Sequence, residues 1–157
     1  MARQQLDALD VKILGYLIEN ARRPFLEIAR ECKVSGAAVH QRIARLQALG
    51  VIKGSELLIN PSSLGFDTCS YVGFFLKDPT RLNEVIEKLK EIPEVVECHF
   101  TTGRYDLFIK LYARNNDDLL NIIQNKLLSL GLARTESLIS FKEIFNRPLP
   151  VGPGEAK

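Results

Sequence analysis

The chain has 157 residues, of which 46% are hydrophobic, and its net charge is only +2. This composition supplies a core for one domain or two small ones, and no apolar run approaches the ~20 residues that a membrane-spanning helix needs. The sequence MARQQLDALD also lacks the apolar core of a signal peptide. We therefore expect a cytoplasmic protein without a membrane partner.

The three cysteines, Cys32, Cys69 and Cys98, are widely spaced and form no CxxC pair. This spacing argues against a metal site or a redox disulfide and favours buried thiols in a reducing compartment. We expect no metal and no cofactor.

A first helix is predicted over residues 7–20. Leucine and isoleucine recur there at helical spacing, at Leu9, Ile13, Leu14, Leu17 and Ile18. We expect this broad apolar face to pack behind the two helices that follow.

Residues 25–53 read as two short amphipathic helices around a polar turn. Phe25, Ile28 and Ala29 give the first helix an apolar stripe. The second helix is predicted to begin after Ser35, a good N-cap residue, and to end before Gly50. Its buried stripe is Val39, Ile43 and Leu46. This arrangement is typical of a helix-turn-helix that binds duplex DNA.

The opposite face of the second helix carries small or amide side chains with cations at its edge. At 100° per residue these are Ala37, Gln41, Ala44 and Ala48, flanked by Ala38, Arg42 and Arg45. Small residues let a helix approach base edges in a major groove, and Gln41 can pair bidentately with adenine. The expected phosphate contacts are Arg22, Arg23, Arg42, Arg45 and Lys53. The alternative is a solvated helix that pairs with another helix.

Charge is concentrated in this segment. Residues 22–53 contain seven basic and two acidic residues, a net +5, as expected for a surface that faces phosphates. The short apolar run 56–59 is predicted to form a strand, as a small wing or a connector. Pro61, Ser62, Ser63 and Gly65 indicate a linker over 61–66. We therefore expect a winged helix-turn-helix domain at 1–60 and a second domain at 67–157.

From residue 67 the pattern predicts the order β-α-β-β-α-β. The strands are expected at 67–77, 94–102, 105–113 and 133–145, and the helices at 79–93 and 115–131. Gly103 and Arg104 lie at the tight hairpin between the second and third strands. This order is that of a ferredoxin-like sandwich, so the whole chain is predicted to have an α+β fold.

The predicted strands are apolar on both faces. Val72, Phe74 and Leu76 lie on one face of the first strand, and Tyr71 and Phe75 lie on the other. A sheet face turned away from its helices needs a cover when it is apolar. A second copy of the chain gives this cover in a symmetric dimer, which we favour over a small-molecule pocket within one subunit.

The chain resembles the leucine-responsive and asparagine regulator (Lrp/AsnC) family. The resemblance rests on LDALDVKIL, EIA and SGAAVHQRIARLQALGVIKG in the first domain and on TTGRYDLFIKL in the second. It implies a transcriptional regulator that forms dimers and then octamers or similar rings, and that senses a small molecule, usually an amino acid. It places DNA contacts on Ser35, Ala37, Ala38, Gln41, Arg42 and Arg45. Relatives usually carry a hydroxyl residue where this chain has Ala38.

The resemblance also implies an effector site between dimers, around the hairpin loop and the start of the last strand. Gly103 lets a ligand approach main-chain amides, and Asp106 is expected to accept hydrogen bonds from a ligand ammonium. The further contacts implied are Thr101, Thr102, Tyr105, Thr135 and Ser137. The alternatives are a plain hairpin glycine and a carboxylate that ties down the turn.

Two other functions remain open from the sequence. Sirohaem decarboxylases resemble the same two-domain architecture, and this chain has His40, His99, Arg104 and Tyr105. It lacks a HExxH motif, a P-loop and any other recognisable catalytic set, so we expect no enzyme. An architectural DNA-binding protein that responds to no effector is not separated from a regulator by these motifs.

Overall fold

The first part of the chain folds into three helices: α1 (Ala8–Glu19), α2 (Phe25–Cys32) and α3 (Gly36–Ala48). Our computed structural model describes residues 6–151. The chain divides into two units, Met1–Leu57 with Asn146–Lys157, and Leu58–Phe145. None of the described helices is long and apolar enough to cross a membrane.

Side-chain caps mark the starts of α1 and α3. The Asp7 carboxylate accepts a hydrogen bond from the Asp10 amide (2.8 Å), and Asp10 accepts one from the Asp7 amide (3.2 Å), which completes a capping box. Ser35 Oγ accepts a hydrogen bond from the Ala38 amide (3.1 Å) and starts α3. Gly50, with φ +69°, follows the end of α3 as the sequence predicts.

The three helices share one core. Ile13, Ile28, Ala29, Val39 and Ile43 are buried together. The apolar stripes expected on α2 and α3 therefore face protein, and Ile13 and Leu14 form the buried part of the stripe on α1.

The strand expected over residues 56–59 is wrong. The structure has no strand between α3 and residue 68, and Leu58 is 92% exposed. An extended segment becomes a strand only when a neighbouring strand satisfies its amides, and none of the described strands pairs with it. A short 3₁₀ turn, Pro61–Leu64, follows under an Asn60 cap.

The second unit contains the predicted sandwich. Its strands are β1 (Thr68–Leu76), β2 (Val95–Phe100), β3 (Leu107–Ala113) and β4 (Leu132–Ser140), and its helices are α4 (Leu82–Lys90) and α5 (Asn116–Asn121). The helical path after α5 continues as a π-helical turn, Ile122–Leu127, and a 3₁₀ turn, Leu128–Leu130. The sheet order is β2-β3-β1-β4 with every pair antiparallel. The ferredoxin-like α+β prediction is confirmed, although β4 ends five residues earlier than expected.

The sheet has two different faces. On the face that we call the core face, Val72, Phe74, Leu107, Ile109 and Leu111 are buried in a cluster with residues of the helices. The opposite face, here the outer face, carries the alternate residues of each strand. It includes Tyr71, Phe75, Phe108 and Tyr112, all half-buried. The aromatic residues that the sequence predicts for this face are therefore present, and charged residues such as Lys110 and Glu136 lie on the same face.

Candidate DNA-binding and effector surfaces

The outward arc of α3 is exposed and nearly uncharged. Ala37, Gln41, Ala44 and Ala48 are all exposed, and Ala38 is half-buried beside the Ser35 cap. Within residues 6–151, no hydrogen bond of the Gln41 amide to another side chain is seen, so its donor and acceptor point to solvent. A helix face of alanines with one amide side chain can approach base edges in a major groove closely and form hydrogen bonds with them.

Three of the predicted phosphate contacts lie around this unit. Arg22 and Lys53 are exposed, and neither forms an ion pair with another described residue. The Arg23 guanidinium lies 4.3 Å from the centre of the Tyr16 ring, and its Nε is 3.8 Å from Glu27 Oε2. Arg23 is thus partly held by the protein, whereas Arg22 and Lys53 are available to a polyanion.

Arg42 and Arg45, in contrast, are bound to α1. The Arg42 guanidinium donates to Asp10 Oδ1 (3.1 Å) and to Asp7, and Arg45 donates to Asp10 Oδ2 (3.0 Å). The hydrogen bonds from the Asp10 amide and from Arg42 lower the pKa of Asp7. Sequence reasoning missed both aspartates as partners of the arginines, because these residues lie 32 to 35 positions apart in the chain.

The histidines take part in ordinary packing contacts. His40 on α3 meets the Phe25 ring edge-on at 4.7 Å between centroids. His99 lies 3.5 Å from Glu97 on the outer face. In the part of the chain that the structure describes, no group of His, Cys, Asp and Glu has an arrangement that could hold a metal ion.

The expectation of buried thiols is wrong. Cys32 and Cys69 are half-buried and Cys98 is exposed, because β2 lies at the edge of the sheet. Partial burial raises the pKa of the Cys69 and Cys98 thiols. A raised pKa lowers the thiolate fraction and hence the reactivity of these two side chains.

The hairpin loop between β2 and β3 is closed by its own hydrogen bonds. Thr101 Oγ1 donates to the Tyr105 carbonyl (2.6 Å), and the Thr101 amide donates to the Asp106 carbonyl (3.2 Å). Gly103 has φ +106°, a conformation that other residues rarely adopt. Thr102 is exposed at the tip of the loop.

Asp106 ties this loop to β1. Its Oδ2 accepts a hydrogen bond from the Leu76 amide (2.8 Å), and its own amide donates to the Phe74 carbonyl (2.9 Å). Leu76 lies at the irregularity in the pairing of β1 with β4. The carboxylate that the sequence predicts as a ligand contact therefore also supports the strand.

Tyr105 crosses the outer face of the sheet. Its ring stacks on Phe108 at 5.8 Å and meets Phe75 edge-on at 5.4 Å. Its hydroxyl donates to Glu136 Oε2 on β4 (2.7 Å). The ring passes directly over Gly73, the one residue type that leaves room for it. The loop is thus fastened across β1 to the far edge strand.

Glu136 also accepts hydrogen bonds from two arginines. Arg104 donates to its Oε1 at 2.6 Å, and Arg134 donates to the same oxygen. Two guanidinium groups and one carboxylate therefore lie side by side at the loop, within reach of solvent through the two exposed arginines. We call Arg104, Tyr105, Arg134 and Glu136 the loop clamp. Sequence reasoning missed Glu136 and Arg134 because it did not predict the register of β4.

Two of the predicted effector contacts lie on the other face of the sheet. Thr135 pairs with Phe74 and Ser137 pairs with Val72, both of which are core-face residues. Directly paired residues in an antiparallel sheet point to the same side. Within one subunit, Thr135 and Ser137 therefore lie on the opposite face of the sheet from Tyr105.

Both units match known domains. Residues 6–47 match the AsnC-type helix-turn-helix domain, and residues 70–150 match the Lrp/AsnC ligand binding domain. Regulatory protein AsnC of Haemophilus influenzae is 36% identical over 138 residues, which cover 87% of this chain and 92% of that protein. HTH-type transcriptional regulator Ptr1 of Methanocaldococcus jannaschii is 36% identical over 148 residues, or 92% of this chain and 99% of Ptr1.

Solved structures agree with these matches. Escherichia coli AsnC superposes with a TM-score of 0.86 and 32% identity, covering 92% of this chain and 98% of that one. The fold is also that of a regulator from Neisseria meningitidis, NMB0573, solved as a complex with L-Met. It has a TM-score of 0.86 and 24% identity, and the match covers 93% of this chain and 97% of that one. These relatives are named as transcriptional regulators rather than enzymes. The chain belongs to the Lrp/AsnC family of transcriptional regulators.

Proposed function

We propose that this regulator reads duplex DNA by inserting α3 into the major groove, and that an amino acid bound near the hairpin loop modulates its activity. The exposed arc around Gln41 is the observation that carries the DNA part. Ala37, Ala38 and Gln41 face the bases, Ser35 starts the helix at the groove, and Arg22, Arg23 and Lys53 contact phosphates. This assignment concerns the DNA-binding domain alone, for which we propose residues 1–60. We propose residues 61–66 as the linker and 67–157 as the second domain.

The test of DNA reading starts from a site selected with the full-length protein from a randomised duplex library. Gln41→Ala should lose about 1 to 3 kcal/mol of discrimination at one base position. Gln47→Ala is the matched control, because Gln47 is also exposed on α3 but points about 120° away from Gln41. Unchanged selectivity in the Gln41 variant removes this side chain from the reading set.

The loop clamp supports the amino-acid part of the proposal. An amino acid carries a carboxylate and an ammonium, and the clamp presents two guanidinium groups beside Glu136, with Asp106 close along the loop. Arg104 and Arg134 bind the carboxylate, and the two acids receive the ammonium. Gly103 allows the ligand to approach the main chain. The complex of NMB0573 with L-Met is consistent with this ligand class.

Titration calorimetry of the full-length protein against the twenty amino acids tests the effector. We expect heat with at least one of them, loss of that heat in Glu136→Gln, and retention in Glu97→Gln. Glu97 is the matched control because it is also an outer-face carboxylate of the same unit. No heat at millimolar concentration with any amino acid contradicts the proposal for this ligand class.

Such a result favours a second candidate, an architectural DNA-binding protein that needs no effector. The observation behind it is that Glu136 and Asp106 already accept hydrogen bonds from other groups of the chain.

For either candidate we propose a cytoplasmic homodimer formed by the outer faces, with assembly of dimers into octamers.

A further inference from the structure

We propose that Arg42 and Arg45 orient the DNA-reading helix by binding Asp10, rather than neutralising DNA phosphates. The inference rests on the proposed reading of DNA by α3. It assigns a positioning role to Asp10, Arg42 and Arg45, which we call the aspartate clamp.

Burial of Asp10 is the first observation. Its side chain is 0% exposed, although it belongs to the first turn of a surface helix. A buried carboxylate is costly unless it is paired and hydrogen-bonded. Here both oxygens are satisfied: Oδ1 by Arg42, and Oδ2 by Arg45 and the Asp7 amide. Removing either arginine therefore leaves a buried charge without part of its partner set.

The position of the arginines on α3 is the second observation. Arg42 and Arg45 are one turn apart, so their side chains emerge from the same flank of the helix. Both are bound to a single side chain of α1, which fixes the rotation of α3 about its own axis. The direction of Gln41 relative to the domain depends on that rotation, because Gln41 precedes Arg42 directly in the same helix.

A third observation is a hydrogen bond that joins α1 to α2. Lys12 Nζ on α1 donates to the Glu31 carbonyl on α2 (2.9 Å). Polar contacts from α1 thus hold both helices of the helix-turn-helix. The charges of the aspartate clamp also compensate each other locally, since two arginines meet Asp10 and the neighbouring Asp7. Compensated cations release fewer counterions on binding DNA than free ones do.

Salt dependence separates positioning from phosphate contact. Affinity is measured for a selected duplex and for a scrambled duplex over a range of salt concentrations. A lost phosphate contact lowers the slope of log K against log salt by about 1. We expect no such change in Arg42→Gln or Arg45→Gln. We expect instead a loss of preference for the selected duplex, roughly five- to 150-fold if one base contact is misplaced.

Asp10→Asn provides the second arm. It removes the carboxylate that pairs with Arg45 and one of the two carboxylate partners of Arg42, which keeps Asp7. The scrambled duplex should therefore bind more tightly and the slope should steepen, while preference for the selected duplex falls. Glu19→Gln is the matched control on α1, because Glu19 is exposed and forms no ion pair with another described residue. Arg45→Lys keeps a donor within reach of Asp10 and should retain most of the preference.

The inference is overturned if Arg42→Gln and Arg45→Gln each flatten the slope by about 1 and leave the preference intact. Circular dichroism verifies folding of each variant. If Asp10→Asn does not fold, the two arginine variants decide, since their side chains are partly exposed. Failure of the proposed DNA-reading function gives a different result. In that case Arg22→Gln leaves the slope of log K against log salt unchanged, and Gln41→Ala leaves the preference for the selected duplex unchanged.

Discussion

The ring of Tyr105 lies directly on the backbone of Gly73. A Cβ at position 73 would lie 2.6 Å from Cγ of the tyrosine and closer still to Cδ1 and Cε1. Distances below 3 Å are not tolerated without movement, and here the obstacle is an aromatic ring packed between Phe75 and Phe108. The contact joins the hairpin loop to the outer face of the sheet.

Gly73→Ala should therefore displace Tyr105 and break its hydrogen bond to Glu136. We expect the free energy of unfolding to fall by about 1 to 3 kcal/mol, as for other overpacked sites. Chemical denaturation measures the loss, and amide hydrogen exchange at β4 localises it. Tyr105→Phe is the comparison variant, because it removes only the hydroxyl and should cost about 0.5 to 1.5 kcal/mol. A Gly73→Ala variant with the wild-type free energy of unfolding would contradict this contact between Tyr105 and Gly73.

Leu138 and Ile139 provide a test of the proposed dimer. Both are exposed, by 57% and 46%, but Leu138 pairs with Tyr71 of the outer face and Ile139 pairs with Ser70 of the core face. Leu138→Lys should weaken self-association, because a cation then enters the proposed apolar interface. Ile139→Lys should leave the dimer intact. Sedimentation velocity compares the two, and equal behaviour argues against an outer-face interface.

Local signals account for what the sequence predicted well. The apolar periods of the helices and the cap at Ser35 depend only on neighbours in the chain. The sequence did not predict the face on which Thr135 lies, because that face depends on the register of β4 and on the irregularity between Phe75 and Leu76. A shift of one residue turns every side chain of a strand to the opposite face. The ion pairs of Asp10 likewise depend on helix packing, which no local pattern encodes.

Ser35→Ala tests the start of α3. The variant loses the hydrogen bond from the Ala38 amide to Ser35 Oγ, and we expect the helix-turn-helix unit to lose about 1 kcal/mol of stability. Ser55→Ala is the control, because Ser55 is exposed and caps no helix among the described residues. Thermal unfolding followed by circular dichroism measures the difference. Equal stability of the two variants would mean that the cap contributes nothing.

Glu84 on α4 gives a prediction about pH. Hydrogen bonds from Arg81 (2.7 and 2.8 Å) and the Lys88 ammonium (2.9 Å) lower its pKa from 4.5 to about 2. Because the folded pKa lies below the unfolded value, this contribution to stability is present above pH 4.5 and is lost as the pH falls towards 2. Carboxyl NMR should show Glu84 titrating near 2 in the wild type and closer to 4.5 in Arg81→Gln. Lys90→Gln, which removes the partner of Glu87, should leave the Glu84 titration unchanged.

Two substitutions of Asp106 distinguish its structural role in the loop from a role in ligand binding. Asp106→Asn keeps an oxygen that accepts from the Leu76 amide, whereas Asp106→Ala removes it. We expect Asp106→Asn to fold with near wild-type stability but to lose amino-acid binding in calorimetry, because a neutral amide attracts an ammonium much less than a carboxylate does. Asp106→Ala should lose binding and also about 1 to 3 kcal/mol of stability, since the Leu76 amide is left without an acceptor. Full binding in Asp106→Asn would restrict this side chain to its bond with β1 and leave Glu136 as the acid that receives the ammonium.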